Sequence, residues 1–379
     1  MSVTPVIAIV LVPGWMYLLV AAVAAVCFVR RGFVIPPERP PISVLKPLHG
    51  EEPGLYENLR SFVEQDYPGV QLVLGVNDIN DRALPVAEAL IRDMPAADIT
   101  LVSGALARGS NLKVANLENM LPAARHDILV ISDSDMRVDR RYLGAVAEPL
   151  RNPSIGLVTC LYKGVSTGGK WSELGAQHIN FGFLPSALVA AAVGIDLGCF
   201  GATIALRRET LCRIGGFVLV RDELADDQRI GKAVRALGLA VALSRYVVEA
   251  RVSEPCFAEL WRHELRWART VRTITPAGFV GSVLTHVVTL AALGAAGTGF
   301  GLTSSIFLGI SLLLRWVTAG VIARALGFAV NGLWLLPIRD ALSFAVFVAS
   351  FFGRAVFWRD QLFQVEPSGR MSIDGDPSP

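Results

Sequence analysis

Charged residues are scarce in this sequence, and its first 29 residues contain none. Only 18% of the 379 residues are charged, whereas about 25% is usual for a soluble domain, and residues 276–353 carry four formal charges. This composition excludes a disordered chain and an ordinary soluble domain. The 35 basic and 33 acidic residues give a net charge of +2, which excludes the strongly basic surface that a nucleic-acid partner requires.

Metal-binding and phosphate-binding signatures are also missing. The five cysteines (Cys27, Cys160, Cys199, Cys212 and Cys256) have no CxxC spacing and are odd in number, so they predict neither a zinc site nor a disulfide framework. The chain has no GxxxxGK(S/T) loop, no GxGxxG after its first strand and no HExxH. These absences exclude P-loop hydrolases, Rossmann dehydrogenases and zinc proteases.

The uncharged start of the chain predicts a transmembrane helix. The apolar run 4–29 exceeds the roughly 20 residues that a spanning helix needs, and Arg30 and Arg31 follow directly. A signal peptide is the alternative, but it needs a basic start and a shorter apolar core, so we interpret the segment as an anchor. Because Lys and Arg flanks stay in the cytoplasm, these arginines place the middle of the chain in the cytosol.

The region after Pro276 predicts further membrane segments, at 277–303, 304–326 and 328–352. Arg315 lies inside the second segment, and Pro337, Arg339 and Asp340 interrupt the third. Ionisable residues at mid-membrane depth are costly, so we expect them to be paired or to face a cavity. The alternative is that Arg339 and Asp340 mark a membrane surface and that the last segment is two short pieces.

Strands alternate with helices between residues 41 and 250, which predicts an α/β domain with a Rossmann-like, mostly parallel sheet covered on both faces. The predicted strands are 42–45, 71–76, 99–102 and 127–132. The predicted helices are 55–64, 84–92, 112–120 and 229–237.

Charged side chains follow these strands, where the ligands of such sheets bind. They are one lysine and four carboxylates: Lys46, Asp78, Asp81, Asp133 and Asp135. Asp133 and Asp135 belong to an Asp-Ser-Asp motif directly after an apolar strand, and carboxylates are hard ligands that suit Mg²⁺ or Mn²⁺. The alternative is an ordinary turn, in which Asp is common.

Two aspartates precede the helix predicted at 229–237. A helix N-cap is the simplest interpretation, because Asp is favoured there and complements the helix dipole. Asp226 could fill that role alone, which leaves Asp227 as a candidate general base.

The segment 256–275 predicts an amphipathic helix at the membrane interface, with Trp at headgroup depth and Arg meeting anionic lipid. It contains the run HELRW at 263–267. We expect Arg266 and Trp267 to face the active site, where Arg266 would stabilise a leaving diphosphate.

Together these motifs resemble the ceramide glucosyltransferase family of inverting, membrane-bound GT-A glycosyltransferases. The resemblance covers nearly the whole chain in order and spacing. It rests on the N-terminal anchor, KPLHG at 46–50, QDYP at 65–68, Asp78 to Asp81, GSNLK at 109–113, DSDMRV at 133–138, LADD at 224–227, the Arg266-Trp267 pair and the C-terminal spans.

The resemblance implies roles for the acidic residues. Asp81 would bind the nucleotide, and Asp133 would belong to the metal and diphosphate site. Asp135 completes a full DxD motif, so Asp133 and Asp135 are the implied ligands of Mg²⁺ or Mn²⁺. Asp227 would be the catalytic base, which takes the proton of the acceptor hydroxyl.

The resemblance also implies roles for basic and aromatic residues. Arg266 and Trp267 end the family's (Q/R)xxRW motif, whose first position is His263 here, so the role of that position stays open. Lys113 would join Arg266 in offsetting the charge that grows on the leaving diphosphate. The UDP-sugar site would then comprise Lys46, Asp78, Asp81, Lys113 and Asp133.

The implied reaction is attack of a lipid hydroxyl on the anomeric carbon opposite UDP, with inversion. UDP-glucose with ceramide is one donor and acceptor pair. UDP-N-acetylglucosamine with a hopanoid is the other, because the runs HELRWART at 263–270 and GSVLTH at 281–286 are similar to bacterial hopanoid-biosynthesis glycosyltransferases. A non-catalytic nucleotide-sugar-binding membrane protein and a polysaccharide synthase are the alternatives. The retained Asp227 argues against the first, and the small number of spans argues against the second.

We therefore expect an integral, multi-pass protein of a bacterial inner membrane, with a cytosolic catalytic domain. Its partners would be a UDP-sugar, a lipid acceptor and the bilayer, and no nucleic acid. The expected segments are a transmembrane anchor at 1–29, a cytosolic GT-A domain at 30–255, an interfacial helix at 256–275, transmembrane segments at 276–353 and a polar tail at 354–379.

Overall fold

The computed structural model describes residues 4–33, 39–104, 108–195, 198–330, 332–353, 355–358, 361–365 and 369–373. In this part of the chain the strands are β1 (Ile42–Leu48), β2 (Val70–Val76), β3 (Asp98–Ser103), β4 (Ile128–Ile131), β5 (Met136–Arg137), β6 (Ile155–Ser166), β7 (Ile204–Arg207), β8 (Ala240–Val252), β9 (Ala355–Trp358), β10 (Gln361–Val365) and β11 (Met371–Ile373). The helices are α1 (Thr4–Arg30), α2 (Leu55–Val63), α3 (Ala83–Asp93), α4 (Leu112–Met120), α5 (Tyr142–Ala147), α6 (Lys170–His178), α7 (Leu184–Ala192), α8 (Arg208–Arg213), α9 (Asp226–Ala236), α10 (Phe257–Ile274), α11 (Pro276–Gly281), α12 (Val287–Gly297), α13 (Leu302–Leu326) and α14 (Leu336–Ser350).

Two units emerge from the clustering of these elements, and each is described by itself. The sheet unit comprises Gly32–Thr167, Gly198–Ser253 and Gly369–Pro379. The helical unit comprises Met1–Arg31, Gly168–Leu197 and Glu254–Ser368. Residues 168–197 therefore cluster with the helices, although the sequence analysis assigned them to the cytosolic domain. The other segment boundaries drawn from the sequence stay predictions.

The sheet unit is built on a mixed eight-stranded sheet of order β3-β2-β1-β4-β7-β6-β8-β5. The four strands β3, β2, β1 and β4 are parallel, so their carboxyl ends meet at one edge. β7 runs antiparallel to β4, which brings its first residue, Ile204, opposite Ile131 at that same edge. β6 and β8 are also parallel, while β6 with β7 and β5 with β8 are antiparallel. The predicted α/β class is confirmed, and the sheet is mixed.

The core of the sheet unit holds two helices, α4 and α9, against the sheet. Buried residues of β1, β2, β4 and β7 pack in one cluster with Val114 and Leu117 of α4 and with Ile230 and Val234 of α9. Burying such a side chain contributes about 1.5–3 kcal/mol, so both helices are held firmly against the sheet. Their first turns lie toward the edge where the parallel strands end. Every strand and helix predicted by number is present, with its ends shifted by three residues or fewer.

Within the described residues of the helical unit, three helices are long and apolar enough to cross a membrane: Ile7–Arg30, Leu302–Leu326 and Leu333–Ser350. The stretch 277–303, predicted as one span, is instead broken. Its two helical pieces bend by 63° at His286, which makes a broken span or a re-entrant loop. The sequence did not predict this bend, because an apolar run indicates that a segment lies in a membrane but does not indicate where its helix bends.

The last predicted segment is a single helix, because Pro337 lies in the first turn of α14, where proline is tolerated. Arg339 and Asp340 are buried in it and paired. Arg339 donates to both carboxylate oxygens of Glu264 on α10, at 2.6 and 2.7 Å. Arg315 of α13 donates to Asp340 at 2.6 and 2.9 Å. The pairing alternative is therefore observed. The segment beyond 354, predicted as a polar tail, contains the antiparallel hairpin of β9 and β10.

Candidate active site

The candidate site lies at the edge of the sheet where β1 and β4 end. Lys46 is inside β1, which is longer than predicted, and its side chain is fully buried. The Lys46 ammonium donates to the backbone carbonyl of Asp133 and lies 4.0 Å from the centre of the Phe62 ring. Lys46 therefore fixes the turn in which the Asp-Ser-Asp motif begins.

The carboxylate of Asp133 is held by a buried lysine from α4. Asn111 caps this helix by accepting from the backbone N–H groups of Lys113 and Val114, at 3.0 and 3.1 Å. Lys113 is 7% exposed, and its Nζ lies 2.8 Å from Asp133 Oδ1 and 3.3 Å from Asp226 Oδ2. The GSNLK motif thus places one cation between two of the predicted acidic motifs.

Asp227 lies in the first turn of α9 and faces the segment before β7. Its Oδ2 accepts from the backbone N–H of Gly201 at 2.8 Å, and its Oδ1 accepts from that of Gln228 at 2.7 Å. A Cβ atom at Gly201 would lie 2.9 Å from Asp133 Oδ2, 3.3 Å from Lys113 Nζ and 3.6 Å from Asp227 Oδ2. Gly201 therefore packs so closely against the Asp133 carboxylate and the candidate base Asp227 that even a methyl side chain would be crowded there.

Asp226 does not cap α9, contrary to the simplest interpretation of the sequence. The cap position is Ala225, which has no side-chain cap hydrogen bond, and the backbone N–H of Gln228 in the first turn donates to Asp227 instead. Asp226 is 6% exposed and is the second carboxylate on Lys113. A buried charge needs a partner of opposite sign, and that need outweighs the gain from capping.

Burial and charge shift the pKa values of this cluster in opposite directions. Burial alone would lower the pKa of Lys113, but the Asp133 and Asp226 carboxylates raise it above its ordinary value. Burial and the neighbouring Asp226 carboxylate raise the pKa of Asp227 from 3.8 to about 7, against the attraction of Lys113. Lys113 is therefore a permanent cation, and Asp227 has a pKa suited to a base near neutral pH.

Asp135, the second aspartate of the Asp-Ser-Asp motif, has different neighbours from those of Asp227. Burial and the carboxylates of Glu52 and Asp133 raise the pKa of Asp135 well above its ordinary value. Burial lowers the pKa of Lys46 to about 7, although the Asp135 and Asp133 carboxylates favour its charged form. Three acidic side chains are thus crowded around one buried lysine. Such a surplus of negative charge suits a divalent cation.

Over the described ranges, no three His, Cys, Asp or Glu residues converge closely enough to hold a metal ion alone. Mg²⁺ commonly takes one or two carboxylates from the protein and the rest of its ligands from phosphates and water. Asp133, whose side chain is 35% exposed, and Asp135 fit a cation of that kind.

Asp81 and Asp78 shape a neighbouring loop. Asp81 Oδ1 accepts from the N–H groups of Gly50 and Ala83, both at 2.8 Å, and its Oδ2 lies 3.1 Å from Nδ1 of His49. Asp81 thereby joins the KPLHG turn to the start of α3, and its side chain is only 7% exposed. Asp78 is exposed and accepts from the backbone of Asn80 at 2.9 Å. Neither aspartate has a contact with the Asp133 cluster among the described interactions.

Arg266 and Trp267 belong to the helical unit, on α10. Trp267 lies between two histidines: the ring of His178 stacks on it at 6.0 Å, and the ring of His263 meets it edge-on at 4.2 Å. His263 Nδ1 lies 2.7 Å from Glu254. Position 263, whose role the sequence left open, is therefore in contact with the tryptophan of the motif.

Sequence reasoning missed three contributors to these arrangements. Gly201 and Glu52 stand in no recognisable motif, and Glu264 fills one of the unspecified positions of the (Q/R)xxRW motif; each matters because of a contact distant in sequence. Gly201 precedes an apolar strand, which is a weak signal that a side chain is excluded there. The other two residues carry no such signal.

Comparison with known proteins finds both a family model and individual relatives. The family model described as Glycosyl transferase family 21 matches residues 6–371. Ceramide glucosyltransferase 1 of Caenorhabditis elegans is 23% identical over 88% of this chain and 74% of its own length. Ceramide glucosyltransferase of Komagataella phaffii is 34% identical, over 29% of this chain and 22% of its own length.

The solved structures show the fold. A mannosyltransferase from Pyrobaculum calidifontis, PcManGT, solved with GDP-mannose and Mn²⁺, matches with a TM-score of 0.54 and 18% identity. The match covers 93% of this chain and 99% of that protein. The GT-A-like architecture expected from the sequence is confirmed.

Proposed function

Because the chain belongs to glycosyl transferase family 21, we propose that it moves a hexose from a UDP-sugar to the hydroxyl of a membrane lipid, with inversion at the anomeric carbon. UDP-glucose and ceramide are the first pair to consider, since the relatives described above are ceramide glucosyltransferases. UDP-N-acetylglucosamine and a hopanoid remain the second pair.

One observation carries the proposal. Asp133, Lys113 and Asp227 all lie against Gly201, where a Cβ atom would be 2.9, 3.3 and 3.6 Å from them, so a diphosphate partner and a base are immediate neighbours. A transferase needs both groups, whereas a protein that only binds a nucleotide sugar does not need a carboxylate with a pKa near 7.

The part of the site that would bind the diphosphate contains both carboxylates and lysines. We propose that Asp133 and Asp135 hold Mg²⁺ or Mn²⁺, which would act as a Lewis acid on the diphosphate when bound. Lys113, fixed by its two carboxylates, would offset the charge that develops as the sugar leaves UDP. Lys46 would keep the backbone of the Asp133 turn in place.

The base end of the site would activate the acceptor. Asp227 would take the proton of the lipid hydroxyl, and the oxygen would attack the anomeric carbon on the face opposite UDP. The N–H of Gly201 would hold the carboxylate in orientation throughout. Asp78 and Asp81 would contribute to nucleotide binding through the loop that they shape, with His49 as the exposed group beside Asp81.

Arg266 and Trp267 are proposed as catalytic residues because they match the family motif, with Arg266 acting on the leaving diphosphate. The helices that are long enough to span a membrane support an integral membrane protein. The arginines after α1 support a cytosolic catalytic domain, and a bacterial inner membrane is the proposed location.

The test is a product assay with purified, lipid-reconstituted protein. The protein is incubated with UDP-glucose or UDP-N-acetylglucosamine and with ceramide or a hopanoid, and the glycolipid is identified by mass spectrometry. We expect one β-linked hexosyl lipid that requires a divalent cation.

Two controls separate the parts of this proposal. Full turnover in excess EDTA would remove the metal role and leave Lys113 and Arg266 to carry the charge. Hydrolysis of the donor without any lipid product would contradict the lipid acceptor while leaving the donor site intact.

A further inference from the structure

The segment between β6 and β7 departs from the sheet unit and joins the helical unit. Residues 174–195 contain no Lys, Arg, Asp or Glu. The backbone is helical without a gap through α6, a five-residue π-helical turn (Ile179–Phe183) and α7. None of the candidate spans includes this segment, because Gln177, His178 and Asn180 lower its apolarity.

Two contacts fix the depth of this segment relative to α1 and α13. The hydroxyl of Tyr17 lies 2.8 Å from that of Ser186, and α7 packs along α1. Tyr17 is 13 residues from each end of α1, so at 1.5 Å per residue it lies about 20 Å from either end. Arg315, 13 residues from the start of α13, donates to the carbonyl of Phe181 at 2.9 Å.

The midpoints of α1 and α13 lie at the same height. Trp15 of α1 donates from its indole nitrogen to Ser311 of α13 at 2.9 Å. When these two helices cross a bilayer whose hydrocarbon core is about 30 Å thick, Phe181 and Ser186 therefore lie near its centre.

The chain enters and leaves this segment from one sheet. β6 and β7, the strands on either side of the segment along the chain, are antiparallel neighbours in that sheet. The end of α7 is closed by a bond from the N–H of Ile195 to the carbonyl of Ala190, at 2.8 Å. Backbone groups paired in this way are what a lipid environment demands.

The end of the segment is apolar and open. Residues 191–195 are all exposed and all apolar, and Val193 and Ile195 are each 61% exposed. Val23 of α1, in the same unit, is exposed to a similar extent, at 63%. An exposed surface of this composition is unfavourable in water and favourable in contact with lipid acyl chains.

We propose that residues 170–195 form a membrane-embedded helical element that reaches the centre of the bilayer and presents residues 191–195 to lipid acyl chains. The protein then contacts lipid through a segment contributed by the connection between two strands of its glycosyltransferase sheet, in addition to its apolar spans. This inference does not depend on the donor, the acceptor or the reaction.

Fluorescence quenching in vesicles tests the proposal. Val193→Cys and Ile195→Cys are made in a chain whose exposed Cys27, Cys212 and Cys256 are replaced by Ala, and each is labelled with an environment-sensitive fluorophore. The labelled proteins are reconstituted in phosphatidylcholine vesicles that carry a nitroxide at a shallow or a deep acyl position. We expect both labels to be quenched by the lipid nitroxides and to be protected from aqueous iodide.

Two matched positions calibrate the measurement. Val23→Cys on α1 is the lipid control, and Ile79→Cys in the sheet unit, 64% exposed, is the aqueous control. Quenching of the Val193 and Ile195 labels by iodide, as at Ile79, would overturn the proposal. Protection from both quenchers would also overturn it, because another protein surface would then cover the patch. An unfolding temperature in detergent equal to that of the parent with the three cysteines replaced shows that each labelled variant keeps its fold.

Discussion

The two units handle buried charge in opposite ways. In the helical unit, Arg315 with Asp340 and Arg339 with Glu264 are one-to-one pairs, each joined by two hydrogen bonds. At the sheet edge, carboxylates outnumber cations. Five acidic residues (Glu52, Asp133, Asp135, Asp226 and Asp227) surround two lysines (Lys46 and Lys113).

This difference separates scaffold from site. In a matched pair the two charges neutralise each other without a ligand, so the interaction serves to hold the helices together. An unmatched cluster stores repulsion that a cation and a substrate can relieve, and its shifted pKa values are the usual sign of a functional site. Substitutions in the sheet-edge cluster should therefore cost rate, and those in the helical pairs should cost stability.

The largest expected effect is on the candidate base. Asp227→Asn should reduce lipid glycosylation by about 10²–10⁴-fold, the usual contribution of a positioned general base, while leaving UDP-sugar binding near normal. Turnover and donor affinity, measured side by side, check this. An Asp227→Asn protein with wild-type turnover would show that another group is the base.

Asp226→Asn is the matched control for that prediction. It should cost about 1–3 kcal/mol of stability, because Lys113 keeps Asp133 but loses its second carboxylate. Its turnover should fall less than that of Asp227→Asn. The reverse order would mean that the two aspartates exchange roles.

The next effect concerns the pair inside the helical unit. Glu264→Gln leaves the Arg339 guanidinium buried without its carboxylate, and breaking such a pair costs about 3–5 kcal/mol. The double substitution Glu264→Leu with Arg339→Met should recover most of that loss, since apolar side chains of similar volume replace buried pairs well. Thermal unfolding in detergent measures both variants.

The activity of the double variant sharpens the comparison. Glu264 is two residues before Arg266 on α10, so its pair with Arg339 lies on the helix that carries the family motif. Full stability with a lower kcat and an unchanged donor KM would show that the pair positions this motif as well. Full stability with full kcat would show that the pair of Glu264 and Arg339 only stabilises the helical unit.

Gly201 gives a smaller, steric effect. Gly201→Ala would place a methyl group 2.9 Å from Asp133 Oδ2, and displacing a reacting group by about 1 Å costs up to roughly 10²-fold in rate. We expect turnover to fall by about 10–10²-fold with the unfolding temperature little changed. Gly309→Ala, where no atom lies within 4 Å of the new carbon, is the control and should leave turnover unchanged.

The sequence predicted the local features of this fold and few of its long-range ones. The strands and helices from 42 to 131 follow from apolar periodicity, and Asp133 and Lys113 follow from motifs at the ends of those elements. The bend at His286 and the displacement of residues 168–197 to the helical unit do not, because both depend on packing between distant segments. The role of Asp226 was misjudged for the same reason: its partner lies 113 positions earlier, at Lys113.

The smallest expected effect is on the pH dependence of the reaction. The pKa of Asp227 is raised from 3.8 to about 7, so near pH 7 about half of the free enzyme has its base protonated. Between pH 6 and pH 8 the ionised fraction of Asp227 rises about tenfold, and kcat/KM should rise with it and then level off.

The raised pKa of Asp227 makes the protein less stable as the pH rises, because the folded protein binds this proton more tightly than the unfolded chain does. Its contribution is fully present below pH 4 and is lost as the pH rises through 7. Asp227→Asn should therefore flatten the rate profile and raise the unfolding temperature at pH 8 relative to the native protein. A rate profile that keeps its rise in this variant would assign the titration to another group and would separate the raised pKa of Asp227 from catalysis.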